Sequence, residues 1–315
     1  MYFPYVRGKQ FELILLRDNA ELIAQSHISP IIEPVRSNFS PLIRAVTALN
    51  NAGAKSTIIV NPQVGKSPVN TEMILSKLID CEFKHFSNIS IGYILNTNSD
   101  QKDLIKLLKQ YEETPFTLIH NGFTKGKELS VDISKYSNVK IHAFIDNQSG
   151  KLYRKHFNNG NCSRVLIKDG FKRQKKNSDY PPSEHFSDLH ITYDEELMDG
   201  FGDFLIVGDA FSETGGPAYA VAIHLTYLDD EENMFIHHFL SNQNDSPIDP
   251  GGKFLEALAK LVKELTKPNS SLYMSEACKE YQVLYAKKHF PGLGHVKKLS
   301  IQHHVELIAK FLNNG

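Results

Sequence analysis

Acidic residues, a lysine and a histidine follow several short apolar segments of this 315-residue chain. In parallel strand–helix folds, side chains at the carboxyl ends of strands share one mouth. Acids near a lysine there suit metal-assisted hydrolysis, proton transfer or binding of a divalent cation. The predicted catalytic residues are Glu33, Asp146, Lys168, Asp169 and Asp209, and the predicted ligand-binding residues are Asn61 and His120. Polar residues also end strands simply because the chain leaves the core there, so the sequence leaves open whether the protein is an enzyme.

Paired glycines and one lysine form a second group that could bind a ligand. They are Gly215, Gly216, Gly251, Gly252 and Lys253. Glycine permits close approach of the backbone, and the N-terminus of a helix favours negative charge, so these residues are predicted to bind a phosphate-bearing ligand. A structural interpretation stays open, because Asp249 could cap the helix and Pro250 suits its first position.

The segment 290–298 is similar to the hairpin of helix-hairpin-helix DNA-binding modules, which use a Pro-Gly-apolar-Gly turn with lysines nearby. Backbone N–H groups of such a turn hold a phosphate, and lysines add positive charge. The predicted nucleic-acid-binding residues are Gly292, Gly294, Lys297 and Lys298. A plain connector between packed helices is the competing interpretation.

Histidines offer a further, weaker possibility. Neighbouring residues diverge on a strand or helix, so neither His237-His238 nor His303-His304 can chelate one metal alone. His224 and His237 could meet across a hairpin and would then need a third ligand. The sequence therefore names no metal site.

Eight short segments read as strands that must position these residues. They are 31–35, 57–62, 89–96, 116–120, 140–146, 164–169, 204–209 and 234–239. Continuous apolar runs between helical patterns indicate parallel strands covered on both faces. We predict an α/β fold, a (βα)8-type, TIM-like barrel that is irregular near strands seven and eight, with an open sheet as the alternative. Residues 220–228 are expected to form a hairpin where a regular helix would lie.

The expected domains are the barrel with its N-terminal helix, residues 1–268, and a C-terminal helical extension packed on it, residues 269–315. A net charge of −1 gives no overall attraction to nucleic acid or membrane. Three distant cysteines, the lack of a signal-peptide pattern, and no apolar run of about 18 residues favour a cytoplasmic protein with reduced thiols and no membrane span.

Several stretches together resemble an uncharacterised bacterial family of mobile-element and defence-associated proteins, and more distantly the "beta" proteins of phages. The stretches are residues 2–10, 28–35, 61–65 (Asn61-Pro-Gln-Val-Gly65), 164–170, 202–208, 215–227 and 289–294 (His289-Phe-Pro-Gly-Leu-Gly294). The resemblance implies a component of a phage-defence or nucleic-acid-processing system, here a barrel that binds or acts on a phosphate-containing ligand. The alternative is a non-catalytic partner or DNA-binding subunit of a restriction-like nuclease. Implied partners are a nuclease-like protein and a nucleic acid or nucleotide.

Overall fold

The computed structural model describes residues 1–65, 69–158, 160–212, 216 and 218–314. The chain forms two compact units, each assembled from two stretches of sequence. The first unit comprises Met1–Lys168 and Leu189–Asp203, and the second comprises Asp169–Asp188 and Phe204–Gly315. The domain boundary expected after residue 268 lies inside the second unit.

Strands and helices alternate along most of the described chain. The strands are β1 (Tyr5–Val6), β2 (Ile31–Ile32), β3 (Ser56–Ile59), β4 (Ile89–Leu95), β5 (Phe116–His120), β6 (Val139–Ile145), β7 (Ser163–Lys168), β8 (Ser183–Ser187), β9 (Gly200–Asp203), β10 (Ala222–Leu228) and β11 (Met234–Leu240). The helices are α1 (Gln10–Asp18), α2 (Ala20–Gln25), α3 (Ser40–Asn51), α4 (Thr71–Ile74, continued by the π-helical Leu75–Glu82), α5 (Gln101–Gln110), α6 (Gly126–Ile133), α7 (Lys151–Lys155), α8 (Leu189–Thr192), α9 (Pro250–Leu265), α10 (Glu276–Ala286) and α11 (Leu293–Asn314).

Eight parallel strands of the described chain form a nearly closed barrel in the first unit, which confirms the predicted α/β barrel. Their order is β1-β2-β3-β4-β5-β6-β7-β9. A parallel bridge between Tyr2 and Phe201 joins the two edges, and the Phe3 N–H donates to the Phe201 carbonyl over 2.8 Å. Closure leaves few backbone groups of the edge strands unpaired, which is the main structural advantage of a barrel.

Hydroxyl side chains meet inside the barrel. Thr57 Oγ1 lies 3.1 Å from Thr117 Oγ1, which lies 3.0 Å from Ser90 Oγ. Each hydroxyl thereby has a hydrogen-bond partner, which offsets the cost of burying it. Since Thr57 is paired with Ile31 in the strand register, Glu33 projects from the same, interior face.

The barrel differs from the prediction at its first and last strands. The predicted strand 204–209 is wrong, because Leu205–Val207 form a 3-10 turn and the eighth barrel strand is β9. The predicted strand 234–239 is β11, which belongs to a separate antiparallel sheet. Strand β1 was not predicted, because it is only two residues long. Strand β9, Gly-Phe-Gly-Asp, escaped because its sequence has no β-branched residue.

The second unit is built on the antiparallel sheet β10-β11-β8. Residues 220–228 were expected to form a hairpin by themselves; instead, residues 222–228 are a single strand, β10, which forms a hairpin with β11. One face of the sheet packs on the C-terminal helices and forms an apolar core, whose members include Ile223, Leu225, Phe254, Leu258, Leu261, Tyr281 and Leu299. None of the described helices is long and apolar enough to cross a membrane.

Closure of the barrel requires glycine at position 202. A Cβ atom there would lie 2.2 Å from the Phe3 carbonyl oxygen, whereas a Cβ at Gly150 would meet nothing within 4 Å. We expect Gly202→Ala to lower the free energy of unfolding by about 1–3 kcal/mol, the usual cost of overpacking. Gly150→Ala is the matched control and should change it little. Urea unfolding measures both; equal stability of the two variants would contradict this account of closure.

Candidate active site

A buried ion pair lies inside the barrel at the carboxyl ends of β1 and β2. Arg7 Nη1 pairs with Glu33 Oε2, the Tyr5 hydroxyl donates to the same oxygen over 2.8 Å, and the Gln63 N–H donates to Glu33 Oε1 over 2.6 Å. Glu33 is fully buried. Both of its oxygens are therefore engaged, and the carboxylate joins β1, β2 and the segment after β3. In this arrangement Glu33 fixes the strand ends and is not a free base.

A cleft of about 340 Å³ begins at the residues that follow this ion pair. It lies between the loops after β1 and β2 and the first turns of α1 and α3, and we call it the arginine cleft. Its lining residues are Gly8, Gln10, Leu13, Ile14, Arg17, Pro34, Val35, Arg36, Asn38, Phe39, Pro41, Leu42 and Arg44. Gly8 has a φ of +58°, and a Cβ there would lie 2.8 Å from the Glu33 carbonyl oxygen. Only glycine allows the two loops to approach this closely.

The arginine cleft is positively charged. Its described lining contains three arginines and no acidic residue. Arg17 pairs with Asp18 over 2.8 Å, while Arg36 and Arg44 form no ion pair with any described residue. Helices α1 and α3 begin at the cleft, so their dipoles add to the positive potential. The same walls carry apolar side chains. The cleft therefore suits an anion that has an apolar body.

Three other predicted residues belong to the first unit, and each lies at or just after the end of a strand. The side-chain amide of Asn61 accepts from the Ile94 N–H over 2.8 Å and donates to the Ile94 carbonyl over 2.9 Å, so it extends the pairing of β3 with β4. Asp146 opens a 3-10 turn after β6 and is partly exposed. Lys168 lies opposite Asp203 in the register of β7 and β9. It projects from the face opposite to the one that carries Glu33, because side chains alternate along a strand.

His120 lies on the outer face of β5, fully buried against helix α7. Its Nδ1 is 2.7 Å from the Tyr153 hydroxyl, and its Nε2 is 2.9 Å from His142 Nδ1. Burial lowers the pKa of His142 to about 3, with a further contribution from the charge of Arg164. Burial, and next the neighbouring His142, lower the pKa of His120 well below its usual value. Both imidazoles are therefore neutral at physiological pH.

Asp169 and Asp209 belong to the second unit, where they form a turn. Asp169 Oδ2 accepts the Asp209 N–H over 2.8 Å, and Asp169 Oδ1 accepts the Phe171 N–H over 2.9 Å. A carboxylate that accepts backbone N–H groups stabilises the turn on which it lies. Five catalytic residues were predicted, four acids and one lysine. Glu33, Asp146 and Lys168 belong to the first unit, whereas Asp169 and Asp209 belong to the second.

The predicted phosphate site is filled by the protein's own groups. The Gly252 N–H donates to Asp249 Oδ1 over 2.8 Å, so the aspartate caps α9 in place of an external anion. Lys253 is 1% exposed, and its ammonium donates to the carbonyls of Ser246 and Ala218. Gly251 lies in the first turn of the same helix. Gly216 is exposed, and Gly215 lies outside the described residues.

The segment predicted to bind DNA connects helices α10 and α11. Gly292 adopts a φ of +93° and Gly294 lies in the first turn of α11. Lys298 is 8% exposed. Lys297, in contrast, is exposed. The segment therefore has the character of a connector between packed helices.

Histidines on the second sheet pair differently from the expectation. His224 is opposite His238, and not His237, in the register of β10 and β11. Their Nδ1 atoms are 2.6 Å apart, and His238 Nε2 lies 3.1 Å from Glu184 Oε1. Within the described part of the chain, no group of three or more His, Cys, Asp or Glu residues is arranged to hold a metal ion.

Sequence reasoning missed the residues that give the arginine cleft its charge. Arg36 lies three positions beyond Glu33, just outside the strand end that the prediction considered. Arg17 and Arg44 lie on helices, where an arginine is usually a solvated surface residue. Their signal is visible only when α1 and α3 are known to lie side by side.

No family model matches this chain, and neither does any curated protein. The fold is similar to that in a crystal structure of a mandelate racemase/muconate lactonizing protein from Herpetosiphon aurantiacus. The TM-score is 0.41 and the sequence identity 8%, over 75% of this chain and 61% of that one. This chain thus spans less than two thirds of the length of that protein. The resemblance to a bacterial defence-associated family stays a prediction.

The role expected in phage defence or nucleic-acid processing is wrong. The solved structure to which the chain is similar is a mandelate racemase/muconate lactonizing protein. In addition, Asp249 and two backbone carbonyls hold the Gly252 N–H and the Lys253 ammonium, two of the groups that were expected to bind phosphate. The expectation of a phosphate-binding barrel is corrected with it, whereas the predicted nuclease-like partner and the nucleic acid or nucleotide stay predictions.

The ion pair of Arg7 with Glu33 should dominate the stability of the barrel ends. Glu33→Gln leaves the Arg7 charge buried without its counter-charge, so we expect a loss of about 3–5 kcal/mol in the free energy of unfolding. Glu276→Gln removes the partner of Lys279 in an exposed pair and should leave the free energy of unfolding nearly unchanged, because solvent screens such a pair. Urea unfolding compares them; similar small losses in both would show that the buried pair is dispensable.

The buried histidines should make the protein acid-sensitive. Both have folded pKa values below the ordinary 6.5, so the unfolded chain binds protons that the folded chain does not. Stability is therefore lost as pH falls from 6.5 toward 3, the folded pKa of His142. His142→Gln should make this dependence shallower between pH 6 and 4. Urea midpoints measured across that range, with the exposed His85→Gln as control, test it; unchanged steepness in His142→Gln would contradict the assignment.

Proposed function

We propose that this protein binds a small organic carboxylate in the arginine cleft. The observation that carries the proposal is the composition of the cleft, three arginines and no acidic residue among its described lining, around apolar walls. The cleft lies at the carboxyl ends of β1 and β2, the end of a barrel where ligand sites are built. Its volume of about 340 Å³ accommodates a small molecule.

Guanidinium chemistry favours a carboxylate ligand. A guanidinium presents parallel N–H donors that match the two oxygens of a carboxylate, and such charged hydrogen bonds are about twice as strong as neutral ones. Arg36 and Arg44 form no ion pair with described residues, so a ligand does not have to displace an internal acid from either of them.

The apolar walls favour an organic acid over a bare inorganic anion. Leu13, Ile14 and Phe39 line the cleft together with Val35 and Leu42. Burying an apolar group against them stabilises a complex by about 25 cal/mol per Å² of area removed from water. A ligand with a carboxylate at one end and a ring or branched chain at the other uses both features of the cleft.

The ion pair inside the barrel supports the site without supplying its charge. Glu33 neutralises Arg7, and the residues that directly follow each partner, Gly8 and Pro34, line the cleft. The pair therefore fixes the loops, while the arginines on the walls supply the charge that attracts the ligand.

Calorimetric titration with benzoate tests the proposal, and benzamide, which has the same ring and no charge, is the control ligand. We expect benzoate to bind and benzamide to bind at least tenfold more weakly. Arg36→Gln/Arg44→Gln should weaken benzoate at least tenfold, because a hydrogen bond to a charged group contributes about 1.5–3 kcal/mol.

Arg173→Gln, an exposed arginine of the second unit, is the matched control variant and should leave benzoate binding unchanged. Equal binding of benzoate and benzamide, or full binding by Arg36→Gln/Arg44→Gln, would contradict a carboxylate site in this cleft. Inorganic phosphate that binds as tightly as benzoate would show that the apolar walls play no part.

A further inference from the structure

The antiparallel sheet of the second unit carries a hydrogen-bonded row of side chains, which we call the histidine chain. Its members are Glu184 of β8, His238 of β11 and His224 of β10. Glu184 Oε1 lies 3.1 Å from His238 Nε2, and His238 Nδ1 lies 2.6 Å from His224 Nδ1. The sheet holds this order, because His224 is directly opposite His238 in the register of β10 and β11. The histidine chain thus leads from a carboxylate through two imidazoles.

Glu184 fixes where the protons lie along the histidine chain. An ionised carboxylate can only accept a hydrogen bond, so His238 carries its proton on Nε2 and leaves its Nδ1 bare. That bare nitrogen accepts from the Nδ1–H of His224. Burial lowers the pKa of both imidazoles, so each is neutral and has a single N–H. His224 is therefore left with a bare Nε2.

The bare nitrogen of His224 lies on the exposed part of its ring. His238 is 5% exposed, whereas His224 is partly exposed. His224 Nε2 forms no hydrogen bond with any described residue, and it is not among the buried side-chain nitrogens that lack a partner. An unpaired nitrogen that is not buried is open to solvent. The histidine chain thus ends in a base that a molecule in solution can reach.

Neighbouring side chains hold the His224 ring and give its surroundings a positive charge. The rings of Phe171 and Tyr180 meet the imidazole edge-on, with centroids 5.2 and 4.8 Å away. Lys297 is exposed, and after burial and His238 its charge is the third cause that lowers the pKa of His224. Its ammonium is therefore near the imidazole. A fixed base beside a positive charge is what acyl transfer requires, because the charge stabilises the oxyanion that forms.

We infer that the histidine chain hydrolyses small carboxylic esters, with His224 as the catalytic base and Lys297 as the counter-charge of the oxyanion. His224 Nε2 takes a proton from water, and the water oxygen bonds to the carbonyl carbon. The bond from that carbon to the alkoxy oxygen then breaks, and the proton passes to the leaving alcohol. One ester and one water give one acid and one alcohol, so no oxidant, reductant or further reactant is needed.

Glu184 makes the two imidazoles a useful base. Burial opposes a positive charge on either ring alone. When His224 Nε2 gains a proton, its Nδ1 proton can pass to His238, and the Nε2 proton of His238 can pass to Glu184. The added charge is then cancelled by the carboxylate. Lys172 Nζ lies 3.7 Å from the other carboxylate oxygen and is its counter-charge in the resting state. Glu184 and His238 are thus positioning residues.

The positions of the protons can be measured in the unaltered protein. Nitrogen-15 NMR of histidine-labelled protein distinguishes a protonated from a bare ring nitrogen. We expect the proton of His224 on Nδ1 and that of His238 on Nε2. A proton on Nε2 of His224 would leave no bare nitrogen toward solvent and would overturn the proposal.

The activity is tested with p-nitrophenyl acetate, whose hydrolysis by the full-length protein releases a coloured product. We expect His224→Gln to lower kcat/KM at least tenfold. His289→Gln removes an exposed histidine of the same unit and is the matched control, which should leave kcat/KM unchanged. Circular dichroism shows whether the His224→Gln protein is folded. Equal rates of the unaltered and the folded His224→Gln protein would overturn the proposal.

Two further variants separate catalysis from a structural role. Lys297→Gln leaves the histidine chain intact and should lower kcat/KM several-fold. Glu184→Gln should move the acid limb of the pH–rate profile to lower pH, because the carboxylate no longer stabilises the added proton. An acid limb that stays in place would show that Glu184 is only structural and would overturn the relay.

Arg36→Gln/Arg44→Gln disables the arginine cleft and should hydrolyse the ester at the unaltered rate. The activity is thereby tested independently of the carboxylate site. A loss of hydrolysis in this variant would place the activity in the arginine cleft and overturn its assignment to the histidine chain.

Discussion

The ends of β1 and β2 depend on one buried ion pair, that of Arg7 with Glu33. Neither charge is solvated inside the barrel: Glu33 stabilises the charge of Arg7, and Arg7, the Tyr5 hydroxyl and the Gln63 N–H stabilise the charge of Glu33. The pair therefore couples strand closure to the shape of the loops that follow. The arginine cleft exists because Gly8 and Pro34 continue directly from these two residues.

A simple rule separates the charges that serve the fold from those that are available to a ligand. Gly252 and Lys253 were predicted from the sequence to bind a ligand, yet both donate their hydrogen bonds to groups of their own unit. Arg36 and Arg44 were not among the residues predicted from the sequence. In the structure they form no ion pair with described residues, and both line the arginine cleft. A sequence shows the sign of a charge but not whether a partner already satisfies it.

The sequence predicts the middle of the barrel well and its ends poorly. Strands β4 to β7 are continuous apolar runs, and burial on both faces is a local property that composition records. Strands β1 and β9 are short. They are stabilised as strands where the two edges of the barrel meet, through the bridge between Tyr2 and Phe201. Such pairing joins residues almost two hundred positions apart, so local patterns do not contain it.

In the candidate site, too, the sequence predicts what depends on local pattern and misses what depends on contacts between distant residues. The strand-end rule located Glu33 but gave it the role of a catalytic acid, because the sequence does not show its three hydrogen-bond donors, which come from the ends of other strands and the segments after them. It also located His120, whose side chain faces the helices and not the interior, since a single position of β5 decides the face. The arginines could not be found in this way, because the cleft appears only when α1 packs beside α3.

The most direct measurement of the central claim is the NMR signal of the arginine side chains. Nitrogen-15 spectra of the guanidinium groups, assigned by substitution at Arg36 and Arg44, would be recorded with and without benzoate. Binding in the arginine cleft should shift both signals and leave that of Arg173 in place, and benzamide should shift neither. If benzoate leaves both signals unmoved at concentrations that saturate the protein, the carboxylate binds elsewhere and the account of the cleft is contradicted.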